Sequence, residues 1–163
     1  MQMRSLMICL LLVCAPLQAA DSTNPRLAQL LAAGQPPAGV VFEIVAWEDN
    51  TWDWAAPMLR DYADRLRARY PQLALALVSH GAELFDLARQ SALQDEPGIR
   101  ELERLNAEGI DIHVCGEYAK WKRLGPQDFL DFVDVAASGS ALLADYIELG
   151  FERIRLERPH ATD

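Results

Sequence analysis

Cys115 closes a β-branched run, Ile110-Asp111-Ile112-His113-Val114, and Gly116 and a helical pattern follow at once. A thiol at such a junction leaves the end of a sheet and faces the first turn of a helix. Free backbone N–H groups and the positive end of the helix dipole favour an anion there. The thiolate is the nucleophilic form of cysteine, so the position suits thiol chemistry. Free cysteine is also used as a small buried hydrophobe, and the stretch alone does not separate the two uses. His80 ends another apolar run, in Ser79-His80-Gly81. It could act as a general base or orient an acceptor if its strand adjoins the cysteine strand; capping a turn explains it equally. His113 shares the Cys115 side of its strand and reads as a satisfied buried histidine.

Lys120, Lys122 and Arg123 follow the cysteine within about two helical turns. On an acidic chain they could favour a thiolate and draw in an anion such as thiosulfate. The outer face of a short helix is the plainer reading of Lys122 and Arg123, and for Lys120 the two accounts are level. Gly116 would let a substrate or a helix start approach closely. Ser138, Gly139 and Ser140 could offer N–H groups to an anion, with Ser140 as a plain helix cap an equal account. Trp47, Trp52 and Trp54 gather around the loop after the first strand. Trp47 and Gly81 join the candidate lining, while Trp54 reads as core or as an oligomer contact.

Setting aside Cys9 and Cys14, which lie in the N-terminal apolar segment, three histidines and one cysteine without metal-ligand spacing give no metal site. There is no glycine-rich phosphate loop and no nucleophile elbow. Glu48, Asp49 and Asp53 do not make a calcium loop. One cysteine excludes an intrachain dithiol mechanism. No cofactor is therefore expected.

The elements that must position these residues alternate in type. Residues 40–47, 73–78, 110–115, 133–137 and 151–156 read as strands. Between them lie helical patterns over 54–70, 82–93, 99–108, 117–124, 127–132 and 140–149. The first helix should bury Trp54, Met58, Leu59, Tyr62 and Leu66, with Arg60, Asp61, Asp64, Arg65 and Arg67 on a solvated face. Arg153 and Arg155 in the last strand suit a sheet edge. Such alternation implies an α/β fold, a three-layer α/β/α sandwich with a five-stranded, mainly parallel sheet. Ligands and chemistry collect at the carboxyl ends of strands in these sheets. Those ends carry Trp47-Glu48, Ser79-His80-Gly81, Cys115-Gly116 and Ser138-Gly139, which favours a functional thiol.

The full chain has 163 residues and a formal net charge of −9. Residues 1–20 carry a charge at Arg4, an apolar run from Leu6 to Val13 and small residues at Ala19-Ala20. That is a secretory signal peptide, cleaved after Ala19 or Ala20, and implies a periplasmic protein. The apolar run is shorter than the roughly 20 residues a membrane helix needs. Val13 before Cys14 argues against a lipoprotein anchor. Cleavage removes Cys9 and Cys14 and leaves Cys115 as the odd thiol of an oxidising compartment. Residues 21–39 then form a short helix, capped by Asn24-Pro25, and a linker. Residues 40–157 form the α/β domain, and 158–163 a polar tail. The acidic surface argues against nucleic acid and anionic membrane, and no later stretch is long and apolar enough to span a membrane.

The ordered set of Ser79-His80-Gly81, Val114-Cys115-Gly116, the Val133–Ser138-Gly139 strand and turn, and a last helix closing on Gly150 resembles the DsrE/DsrF-like (YchN-like) sulfur-relay family over residues 40–156. The resemblance implies that Cys115 carries sulfur as a persulfide and passes it between partners. It also implies a homo-oligomer or an assembly with related subunits. The expected activity is that of a sulfur carrier or sulfurtransferase, with a donor or acceptor protein or a small anionic sulfur compound as partner. The alternative from another class is an oligomeric binding module whose pocket holds a small ligand or partner without turnover.

Overall fold

The computed structural model describes residues 24–91, 93 and 95–158. Residues 1–20, read as a signal peptide, and the tail beyond Arg158 lie outside the described residues. Five strands form one sheet: β1 (Gly39–Ile44), β2 (Ala74–Ser79), β3 (Ile110–Cys115), β4 (Asp134–Ala136) and β5 (Phe151–Arg155). Their order is β4-β3-β2-β1-β5, and every pairing is parallel. The helices are α1 (Pro25–Ala32), α2 (Thr51–Arg69), α3 (Pro97–Ala107), the short α4 (Gly116–Ala119) and α5 (Gly139–Glu148). Among the described residues no helix is long and apolar enough to cross a membrane.

The two central strands are nearly continuous apolar runs because both their faces are covered. Val40, Phe42 and Ile44 of β1 join Leu75 and Leu77 of β2 in a large core with Leu59 and Leu66 of α2 and Leu102 and Leu105 of α3. The alternate residues Val41, Ala76 and Val78 turn to the other face and meet Leu143 of α5. The sandwich is therefore unequal: α2 and α3 fill one side, while α5 alone packs across β1, β2, β3 and β5 on the other. Gly109 and Gly150 end α3 and α5 with φ of +90° and +84°, in the left-handed region where glycine carries no Cβ penalty.

Helix α1 is capped by Asn24, whose side chain accepts from the Arg26 N–H at 2.9 Å. It buries Leu27 and Leu30, and the Tyr70 hydroxyl donates to the Leu30 and Ala33 carbonyls. Arg26 pairs with Glu152 of β5.

Several elements differ from the sequence expectation, each for a local reason. Strand β1 stops at Ile44 rather than Trp47, because the Glu83 carboxylate takes the Ala46 N–H at 2.8 Å. Helix α2 begins at Thr51, so Trp52, Ala55, Ala56 and Ala63 replace Trp54 and Met58 on its fully buried face. Arg60 is not merely solvated: its guanidinium reaches Glu101 of α3 at 2.6 Å and ties the two helices. The helix expected over 82–93 is a 3₁₀ turn, Ala82–Leu87, and the one over 127–132 is a 3₁₀ turn, Pro126–Asp128. Both unwind because the following residues pair with each other instead, Arg89 N–H to Asp128 O and Leu130 N–H to Leu87 O. The helix after Cys115 breaks into α4 and a 3₁₀ turn, Lys120–Lys122, closed by Arg123 at φ +61°. Strand β4 is three residues long.

Candidate functional site

The register of β2 on β3 pairs Ser79 with Val114, so the next residues, His80 and Cys115, leave the sheet side by side. Helix α5 starts on top of them. A Cβ added at Gly139 would stand 2.9 Å from the His80 Cβ and 3.1 Å from the Cys115 Cβ. Only glycine lets the helix N-terminus seat that closely. Ser138 is the N-cap of α5, but its hydroxyl contacts the Ser140 hydroxyl at 3.1 Å instead of capping a backbone N–H. Cys115 is a free thiol, 7 % exposed.

His80 has a partner on its far side. Its Nε2 lies 3.0 Å from Oε1 of Glu43, a β1 residue only 7 % exposed. The other carboxylate oxygen of Glu43 lies 3.6 Å from Nη1 of Arg153 on β5. Cys115, His80, Glu43 and Arg153 thus come from four neighbouring strands or their exits, β3, β2, β1 and β5, and step diagonally across the sheet. No hydrogen bond joins the Cys115 thiol to His80 among the described residues. His113 is half-buried rather than fully buried, and its Nε2 contacts the Tyr146 hydroxyl at 3.0 Å. Burial pushes its pKa down.

Other candidates divide. A Cβ at Gly116 would come 2.7 Å from the Ala136 carbonyl, so this glycine serves the close approach of β4. A Cβ at Gly81 would come 2.3 Å from the Glu83 carboxylate and 2.6 Å from the Ala46 backbone. Gly81 makes room for a bracket that sequence reasoning missed. Glu83 is 1 % exposed and accepts hydrogen bonds from the Ala46 N–H, the Gly81 N–H at 2.9 Å and the Ser79 hydroxyl at 2.8 Å. Burial raises its pKa despite these donors. Its one signal in the sequence was spacing, since Ser79, Gly81 and Glu83 alternate at a strand exit. Lys120 and Arg123 are exposed.

Trp47 is 66 % exposed and stands edge-on to Tyr118, which also packs on Phe85 and Trp121. Trp47, Phe85, Tyr118, Asp86 and Lys122 line a cleft of about 500 Å³ that Cys115 does not line. The Lys122 ammonium lies 3.9 Å from the centre of the Phe85 ring, so it faces this cleft rather than the thiol. Burial, then the charge of Asp49, pushes the Asp86 pKa up. Trp52 belongs to the core, with its indole N–H on the Glu83 carbonyl at 3.0 Å. Trp54 is half-buried. No cluster of metal-ligating side chains occurs among the described residues.

The chain matches no protein-family model and no curated protein. Among solved structures it is similar to MTH1491, a protein of unknown function from Methanobacterium thermoautotrophicum, with a TM-score of 0.59 and 22 % identity over 72 % of this chain and 97 % of that one. It is also similar to the YchN protein of E. coli, with a TM-score of 0.53 and 16 % identity over 72 % of this chain and 98 % of that one. The protein therefore has the DsrE/YchN-like α/β fold.

Proposed function

We propose that this is an exported, periplasmic protein that holds sulfur as a persulfide on Cys115 and passes it on, as a sulfur carrier or sulfurtransferase. The observation that carries the reading is the seat of the free thiol. It lies at the carboxyl end of β3, against the N-terminus of α5, with Gly139 leaving room for nothing larger. The first N–H groups of a helix favour negative charge beside them, whether on sulfur or on an arriving anion. The fold shared with YchN and the signal-peptide pattern of residues 1–20 support the same reading.

The step needs no cofactor. The Cys115 thiolate attacks the outer sulfur of a persulfide or of thiosulfate. A new S–S bond forms on Cys115 as the donor S–S bond breaks, and its electron pair leaves on the donor thiolate or on sulfite. The transfer is redox-neutral, and the acceptor thiolate reverses it. The proposed partners are a sulfur donor or acceptor, with the protein itself a homo-oligomer or an assembly with related subunits.

Intact mass tests it. Incubation with thiosulfate or a persulfide donor should add one sulfur, removed by reductant and absent in Cys115→Ser. Loading that survives Cys115→Ser, or no loading of a demonstrably free thiol, sinks the reading. The second reading, a binding module without turnover, is favoured by a different observation. The thiol is 7 % exposed, whereas the cleft between Trp47 and Tyr118 is open.

A further inference from the structure

We propose that Cys115, His80 and Glu43 form a nucleophile, base and orienting set, in which His80 takes the thiol proton and Glu43 fixes the imidazole that receives it. This rests on the reading of Cys115 as the reacting thiol, but not on the identity of the group it attacks.

The argument begins with Glu43. A carboxylate 7 % exposed, inside a parallel sheet, needs a partner, because an isolated buried charge is costly. Its partner on one oxygen is His80 Nε2 at 3.0 Å. An ionised carboxylate only accepts, so the proton of a neutral imidazole sits on Nε2. The lone pair is then on Nδ1. Nδ1 is bonded to Cγ, and Cγ lies 3.3 Å from the Gly139 position that also stands 3.1 Å from the Cys115 Cβ. The Cβ–Cγ end of the ring, next to Nδ1, thus packs against the same Gly139 position as the cysteine, and the Nε2 end is held by Glu43. Nucleophile, base and orienter in that order is the general form of an activated side-chain nucleophile, and the first contact is often loose before substrate arrives.

Other charged or titratable groups stand around this set. These are Arg153 of β5, which pairs with Glu43, His113 of β3, two residues before the thiol, and the Tyr146 hydroxyl of α5, which contacts His113. Tyr146 is taken by His113, and Arg153 is taken by Glu43. Arg153 balances the carboxylate, and transfer of the proton from Cys115 to His80 makes an anion and a cation together, so the net charge of the group does not change.

The proton moves from Cys115 Sγ to His80 Nδ1, and the thiolate then attacks. Iodoacetamide reads this directly: the C–I bond breaks, a C–S bond forms and iodide leaves. The test is the alkylation rate of Cys115 in the mature chain, without residues 1–20, against pH for the parent, His80→Gln, His80→Asn and Glu43→Gln. At pH 7 the His80 variants should react at least tenfold more slowly than the parent, and Glu43→Gln should fall between. Near pH 10, where hydroxide removes the thiol proton unaided, all four rates should converge. A purely structural role would shift the rates by the same factor at every pH. Parallel profiles, or identical ones, overturn the proposal. Equal alkylation in denaturant confirms an intact thiol in each variant, and the thermal midpoint of each identifies any that fails to fold. A pH-dependent gap without any sulfur loading would leave this set standing and remove the sulfur-transfer reading instead.

Discussion

Glu43 and His80 meet at 3.0 Å on the face of the sheet that a single helix covers. Removing one member of a buried pair leaves the other desolvated and alone. Glu43→Ala should lower the unfolding free energy by about 1–3 kcal/mol. Arg153, whose side chain is 53 % exposed, pairs with the same carboxylate from the solvent side. Arg153→Ala should cost no more than about 1 kcal/mol. Urea unfolding separates them, and a larger effect for Arg153 would show that the charge of the group, not the buried contact, matters.

Glu83 offers a pH signature. Its folded pKa lies above the ordinary 4.5 because burial disfavours the carboxylate. The contribution of its protonation to stability is therefore present below pH 4.5 and is lost as pH rises through the raised value. Glu83→Gln cannot titrate. The stability of Glu83→Gln relative to the parent should rise across that window and level off above it. Unfolding midpoints measured every half unit of pH read the difference, and a flat difference would refute it.

Gly139 is a steric prediction. Alanine there would stand 2.9 Å from the His80 Cβ, closer than two Cβ atoms pack. Helix α5 must lift, at about 1–3 kcal/mol. Gly139→Ala should also raise access to Cys115, seen as faster alkylation at high pH.

The tryptophans should behave as two groups. Trp52 is 3 % exposed in the core, and Trp52→Ala should cost about 3–5 kcal/mol. Trp47 and Trp121 are 66 % and 77 % exposed, and alanine at either should change stability by less than about 0.5 kcal/mol. Loss of either should reduce fluorescence quenching by iodide, while loss of Trp52 should not.

The α/β alternation was legible because its strands are apolar runs of the right length between helical patterns, and all five strands occur where those runs stand. The junction of Cys115 with a strand end was legible for the same reason. Boundaries set by tertiary bonds were not. Nothing local says that Glu83 will reach across to the Ala46 N–H and end β1 early, nor that residues 87–89 will pair with 128–130 in place of a helix. The nearness of His80 to Cys115 needed the strand order. Glu43 was hidden for a different reason: one acid in an apolar run names no partner, and the histidine it is buried against lies 37 positions away.

The strand order has a consequence for how the chain is made. β1 is the second strand from one edge, and its outer neighbour is the last strand of the chain. Contacts that close this side, such as Arg26 with Glu152, join residues 126 positions apart. Loop closure over that span comes late and makes folding slow. A growing chain can pair β1 with β2 and β2 with β3, but it keeps a bare apolar edge on β1 and lacks its cover until α5 and β5 are available. The domain therefore reaches its closed form only once α5 and β5 are in place. Any machinery that handles the chain before then meets a half-built sheet with Val41, Ala76 and Val78 uncovered.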